Sequence, residues 1–118
     1  MHHLTELKIW NKSLDLAMNV YKVSAFFSTD ERFGLTSQIR RAAVSISSTI
    51  SEGAGRNTKG EFRQFLGVAN GSCYELQTQL IIAERLGFIN SITNAVLLNS
   101  IDELQKMNYS FQKMLTSK

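Results

Sequence analysis

The chain predicts an all-α fold, an antiparallel up-down-up-down four-helix bundle forming a single domain over residues 1–118, and three observations carry that prediction. Proline is absent. Four long stretches place apolar residues at spacings of three and four, the period of one helix face. The breaks between them are short, polar and glycine-containing, so helices adjacent in sequence must run antiparallel.

Helix one is expected from about Thr5 to Phe27. Leu7, Trp10, Leu14, Ala17 and Tyr21 form one apolar line and are read as its core stripe. Ile9, Leu16 and Val23, with Val20 and Phe27 beside them, form a second line roughly 120° around the helix at about 100° per residue. One bundle core does not easily cover both. Helix two follows the polar break Ser28 to Glu31, with Thr36 or Ser37 expected to cap it and Ile39, Ala43, Ile46 and Ile50 as its core line. The rest of its surface is small, with Ser45, Ser47, Ser48, Ser51 and Ala54, so a neighbouring helix can come close.

Gly53, Gly55 and Asn57 are expected to end helix two through a left-handed residue. Thr58, with Glu61 three residues later, has the capping-box spacing that opens helix three. Its stripe runs Phe62, Phe65, Leu66, Ala69, Cys73, Leu76, Leu80 and Ala83, while Val68, Gly71, Glu75 and Ile82 mark the opposite side. Gly67 and Gly71 inside this helix each cost about 1 kcal/mol relative to alanine, which predicts a close neighbour there. Gly87 should stop helix three, and Ser91 or Thr93 should start helix four, whose stripe is Leu97, Ile101, Leu104, Asn108, Phe111 and Leu115.

Composition narrows the function classes. Thirteen basic against ten acidic residues give a net charge of +3, well short of a dense nucleic-acid-binding surface. Cys73 is the sole cysteine, which rules out an internal disulfide and fits a reducing compartment. Ile9 to Phe27 is too interrupted by polar residues for a signal peptide, and no apolar run reaches the roughly 18 residues of a membrane span. A cytoplasmic protein with no membrane partner is expected.

No catalytic constellation is visible. The two histidines, His2 and His3, sit at the N-terminus, so the inward Glu-x-x-His pairs of a di-iron bundle and the histidine base of a hydrolytic triad are both missing. No metal and no cofactor is expected, and the protein reads as a non-enzyme. Gly55 and Gly60 have P-loop spacing, but Glu61 and Phe62 stand where Lys and Ser/Thr would hold phosphate and magnesium. Glu52 and Glu75, 23 residues apart on antiparallel helices, need not converge as paired carboxylates.

Two basic clusters remain as candidate nucleic-acid contacts. Arg56, Lys59 and Arg63 surround the Gly-rich corner, where a Glu52–Arg56 ion pair at i,i+4 is the simpler expectation. Arg40, Arg41 and Arg85, with Lys22 and Arg32, gather at the opposite end, diluted by Asp30, Glu31 and Glu84. Trp10 and Tyr21 could stack bases, but their place on the core stripe of helix one reads as interior packing. Ile9, Leu16, Val23 and Phe27 on helix one, and Val68, Gly71, Glu75 and Ile82 on helix three, are the candidate subunit interface.

The run Phe33-Gly34-Leu35, Gln38 to Ala43, Ser45-Ile46, Ile50 to Gly53, Arg56, Glu61-Phe62, Ala69, Gly71-Ser72, Glu75 and Leu86-Gly87 resembles the small bacterial four-helix bundle proteins encoded by intervening sequences within 23S rRNA genes. The likeness covers Trp10 to Ile89, with Thr49 where such proteins usually have Asn. It implies a bundle that assembles into a ring, typically a homopentamer, without established enzymatic activity. It is also similar to the accessory protein of diversity-generating retroelements, which implies an association with RNA or with a nucleic-acid-binding protein. Two readings follow: an oligomeric module that binds RNA or a ribonucleoprotein, or a protein-interaction scaffold for which nucleic acid is irrelevant.

Overall fold

The periodicity translates into four helices in a computed structural model that describes residues 3–116: α1 (Lys8–Ser24), α2 (Leu35–Ala54), α3 (Lys59–Arg85) and α4 (Ser91–Thr116). Two 3-10 turns, Leu4–Glu6 and Thr29–Glu31, lead into α1 and α2. Each helix packs on the next in sequence, α1 also closes against α4, and the α2–α3 contact is the most extensive. At 27 residues α3 is about 40 Å long. It spans most of the bundle's 49 Å axis.

Three of the four core stripes lie where the spacing put them. Ile39, Ala43, Ile46 and Ile50 of α2, Leu66, Ala69, Cys73, Leu76, Leu80 and Ala83 of α3, and Leu97, Ile101, Leu104 and Leu115 of α4 are buried together. Asn108 on the α4 stripe is buried too, donating from Nδ2 to the Leu66 carbonyl at 2.9 Å and accepting from Gln112 at 2.6 Å. Asn94 repeats the arrangement, donating to Leu80 O at 3.1 Å and to the Glu84 carboxylate at 2.8 Å. These two amides fix α4 against α3.

Helix α1 is turned relative to the sequence reading. Its buried line is Ile9, Ser13, Leu16, Ala17, Val20 and Ser24, followed by Phe27 beyond the helix end. Three proposed interface residues, Ile9, Leu16 and Phe27, are therefore core, and Val23 is half-buried against it. The reason is that Ser13 and Ser24 behave as small core residues. Ser13 Oγ donates to Trp10 O at 2.6 Å and Ser24 Oγ to Tyr21 O at 3.4 Å, so neither hydroxyl needs water. Leu7 and Trp10 pack only partly against the core, and Tyr21 is 44% exposed, so it is not interior.

The helix ends also differ in detail. The N-cap of α2 is Gly34, with no side-chain cap, and Glu31 Oε1 accepts from Leu35 N at 3.4 Å. Thr36 is buried inside the first turn and Ser37 follows it, so neither caps. Asn90, not Ser91 or Thr93, caps α4 by accepting from Thr93 N at 2.7 Å. Gly55 leaves α2 with φ −84°, so that corner uses no left-handed residue. Half of the expected capping box forms: Thr58 Oγ1 accepts from Glu61 N at 3.1 Å, while the Glu61 carboxylate accepts from the Thr58 hydroxyl at 3.0 Å and not from its backbone amide. Gly87, at φ +83°, ends α3, with Phe88 N bonding back to Ala83 O and Gly87 N to Glu84 O.

Candidate nucleic-acid interface and subunit face

The α2–α3 corner is held shut by packing. A Cβ on Gly53 would come within 2.6 Å of Phe65 Cβ and 2.9 Å of Phe62 Cδ1, closer than atoms tolerate. Glycine at this position lets α3 fold back directly on α2. Beside it lies an open cleft of about 630 Å³ lined by Arg56, Lys59, Asn57 and Thr58, with Leu4 and Phe62. Arg56 does not pair with Glu52. Its guanidinium lies 4.7 Å over the ring of half-buried Phe65, a cation–π contact. Arg63 is half-buried on α3 and does not line the cleft, so only two of the three expected basic residues meet there.

At the opposite end, Arg40 ties α2 to the last turn of α1. Its Nε donates to Ser24 Oγ at 2.8 Å and its Nη2 to Tyr21 O at 3.2 Å, with the guanidinium 4.6 Å over the Tyr21 ring. Tyr21 O already accepts from Ala25 N, so Arg40 adds a charged donor at the negative end of α1, where a cation is favoured. A cleft of about 370 Å³ next to it is lined by Tyr21, Arg32, Phe33, Thr36, Arg40 and Arg41, among others. Arg85 does not line it, and Lys22 borders a different groove with Phe26 and Phe88. Phe33 was passed over in the sequence as a candidate contact. The available signal was its place between the polar break and the start of α2, outside any helix face.

The outer side of α3 is exposed at all four proposed positions: Val68 at 60%, Gly71, Glu75, and Ile82 at 43%. Tyr74 is exposed on the same helix. The close neighbour expected at Gly67 and Gly71 is not found among the described residues, since a Cβ on either would meet nothing within 4 Å. On the inner margin, Ser45 and Ser72 share a hydroxyl hydrogen bond of 3.2 Å across α2 and α3.

Among the described residues no three His, Cys, Asp or Glu side chains group as a metal site. His3 is exposed, and His2 lies outside the described residues. Burial pushes the Cys73 thiol up to about 12, which keeps it protonated and inert at neutral pH. Trp10 lines neither basic cleft. No described helix is long and apolar enough to cross a membrane.

The family model for the 23S rRNA-intervening sequence protein matches residues 5–110. The chain belongs to this family. A solved structure from Bacteroides thetaiotaomicron VPI-5482, described as a protein with unknown function from the S23 ribosomal protein family, superimposes with a TM-score of 0.82. It is 24% identical, over 89% of this chain and 98% of that one, and at that identity the likeness concerns the fold. No curated protein matches the chain. Within the 23S rRNA-intervening sequence family, then, this member has the bundle fold with two basic ends and a glycine-opened face.

Proposed function

We propose that this member of the 23S rRNA-intervening sequence family is a non-enzymatic, ring-like homo-oligomer, pentameric in its simplest form, that binds RNA or a ribonucleoprotein through repeated basic ends. One observation carries the reading. Two adjacent turns of α3 hold glycines that face open space while Val68 and Ile82 lie exposed on the same helix. Open glycines penalise an isolated helix, and a second copy approaching closely is what offsets that penalty. Assembly then multiplies a modest basic end into an avid one.

Two measurements test it. The mass in solution should be a multiple of the 13.3 kDa chain, and structured RNA should be retained at low ionic strength with affinity falling steeply as salt rises. Because Arg40 holds α1 in place, the basic-end variant of choice is Arg32→Ala with Arg41→Ala, which should weaken retention and flatten the salt dependence. Unchanged RNA retention in that variant would contradict this end as the contact.

A second reading, a protein-interaction scaffold, is supported by exposed Ile92 and Val96 one turn apart on α4. It predicts an assembled protein that shows no salt-sensitive RNA retention. A cytoplasmic location suits both readings.

A further inference from the structure

The two basic ends are not equally equipped to meet a base. At the corner end the aromatic partners of the charge, Phe62 and Phe65, are buried and half-buried in the α2–α3 packing. At the other end Phe33 is 86% exposed, and the Arg32 guanidinium lies 4.7 Å over its ring. One face of that ring carries a cation, and with so much of it in water the other is open. Arg41 is exposed, and neither it nor Arg32 has a carboxylate partner among the described residues. Asp30 and Glu31 belong to the same loop, but neither lines the cleft.

The cleft floor asks for an acceptor as well. Gly34 offers the start of α2 no capping side chain, and Glu31 Oε1 reaches only the first amide, accepting from Leu35 N at 3.4 Å. The amides of Thr36 and Ser37 fall in the first turn, where no intrahelical carbonyl is available. Thr36 lines the cleft, but its hydroxyl, which has no hydrogen-bond partner, is itself enclosed, so the donors on offer there are the backbone amides. An anion in this cleft would meet the guanidinium groups of Arg32 and Arg41, neither of them paired with a carboxylate among the described residues.

We propose that this end of the bundle is a single-stranded nucleic-acid site, in which Phe33 stacks an unpaired base and Arg32, Arg41 and the first turn of α2 hold the adjoining phosphate. It rests on the nucleic-acid reading above and specifies the strand state. A base within a duplex is already stacked on both sides, so an exposed phenyl ring has no base face to meet there. A backbone contact alone would not distinguish the two forms.

The test is fluorescence anisotropy of the full-length protein with a 12-nucleotide uridine RNA, alone and as its duplex with the adenosine complement. Phe33→Ala should weaken single-strand binding by about tenfold, the range found for losing one stacking platform. Duplex binding should change less than twofold, and Phe33→Trp should retain single-strand affinity. Circular dichroism and sedimentation should match the unsubstituted protein. Unaltered single-strand affinity in Phe33→Ala, or an equal loss on the duplex, overturns the stacking site while leaving a nucleic-acid role standing. A changed sedimentation coefficient overturns it by making Phe33 a subunit contact. If the unsubstituted protein retains neither RNA form at low salt, both this site and the nucleic-acid reading fail together.

Discussion

The two ends of the bundle carry similar charge and differ in what the charge is attached to. At the α2–α3 corner, Gly53 lets Phe62 and Phe65 close the turn, Thr58 caps α3 through Glu61 N, and Arg56 lies over Phe65. At the α1–α2 end, the N-cap Gly34 has no side chain and Glu31 reaches only Leu35 N, Phe33 stands in solvent, and only Arg40 of the three arginines there is tied down by hydrogen bonds. The first end is built for stability and the second has donors to offer. Net charge alone does not separate them.

Substituting the glycine at each end breaks or sharpens that contrast most strongly. Gly53→Ala should destabilise the fold by about 2 to 3 kcal/mol, because the new methyl meets ring and backbone-anchored carbons, and urea denaturation reads this directly. Gly34→Ala should cost less than Gly53→Ala, since the atom nearest its new methyl is the movable Glu31 carboxylate at 3.3 Å and not an anchored carbon. Equal effects at the two positions would erase the distinction.

Next in size is the buried amide of Asn108. Asn108→Ala removes its bond to Leu66 O and leaves Gln112 without its acceptor, for an expected loss of about 2 kcal/mol by the same denaturation assay. The α3 glycines offer a test of opposite sign. If the bundle stood alone, Gly67→Ala and Gly71→Ala would each stabilise it by about 1 kcal/mol, because the methyl enters open space. If a second copy lies against that face, the same substitutions loosen the assembly, and Val68→Glu dissociates it in sedimentation.

The smallest effect concerns Cys73. Its folded pKa is raised to about 12 by burial, from 9.0 for the free thiol. Above about pH 9 the unfolded chain therefore binds fewer protons than the folded one, and stability falls as pH rises from there towards 12. Cys73→Ala should show a shallower alkaline loss than the unsubstituted protein.

Most of the fold was legible in the sequence because three helices bury unambiguous apolar stripes, and the Thr58–Glu61 box and Gly87 announce their ends. Helix α1 was misread because serine counts as wet in a pattern while Ser13 and Ser24 satisfy their hydroxyls on their own backbone and sit in the core. That rotation moved Ile9, Leu16 and Phe27 from the outside to the inside and brought Tyr21 to the surface beneath Arg40. The basic residues could be grouped by helix end from spacing alone. Which of them already serve the fold could not, because Arg40 and Arg56 find partners 16 to 19 and nine residues away, beyond the reach of any local rule.

The central claim is that the outer face of α3 is covered by other copies of the chain. Native mass spectrometry or sedimentation equilibrium at micromolar concentration measures this directly. A discrete species at about five times 13.3 kDa that is lost in Val68→Glu is expected, and a stable 13.3 kDa monomer would rule the covered face out.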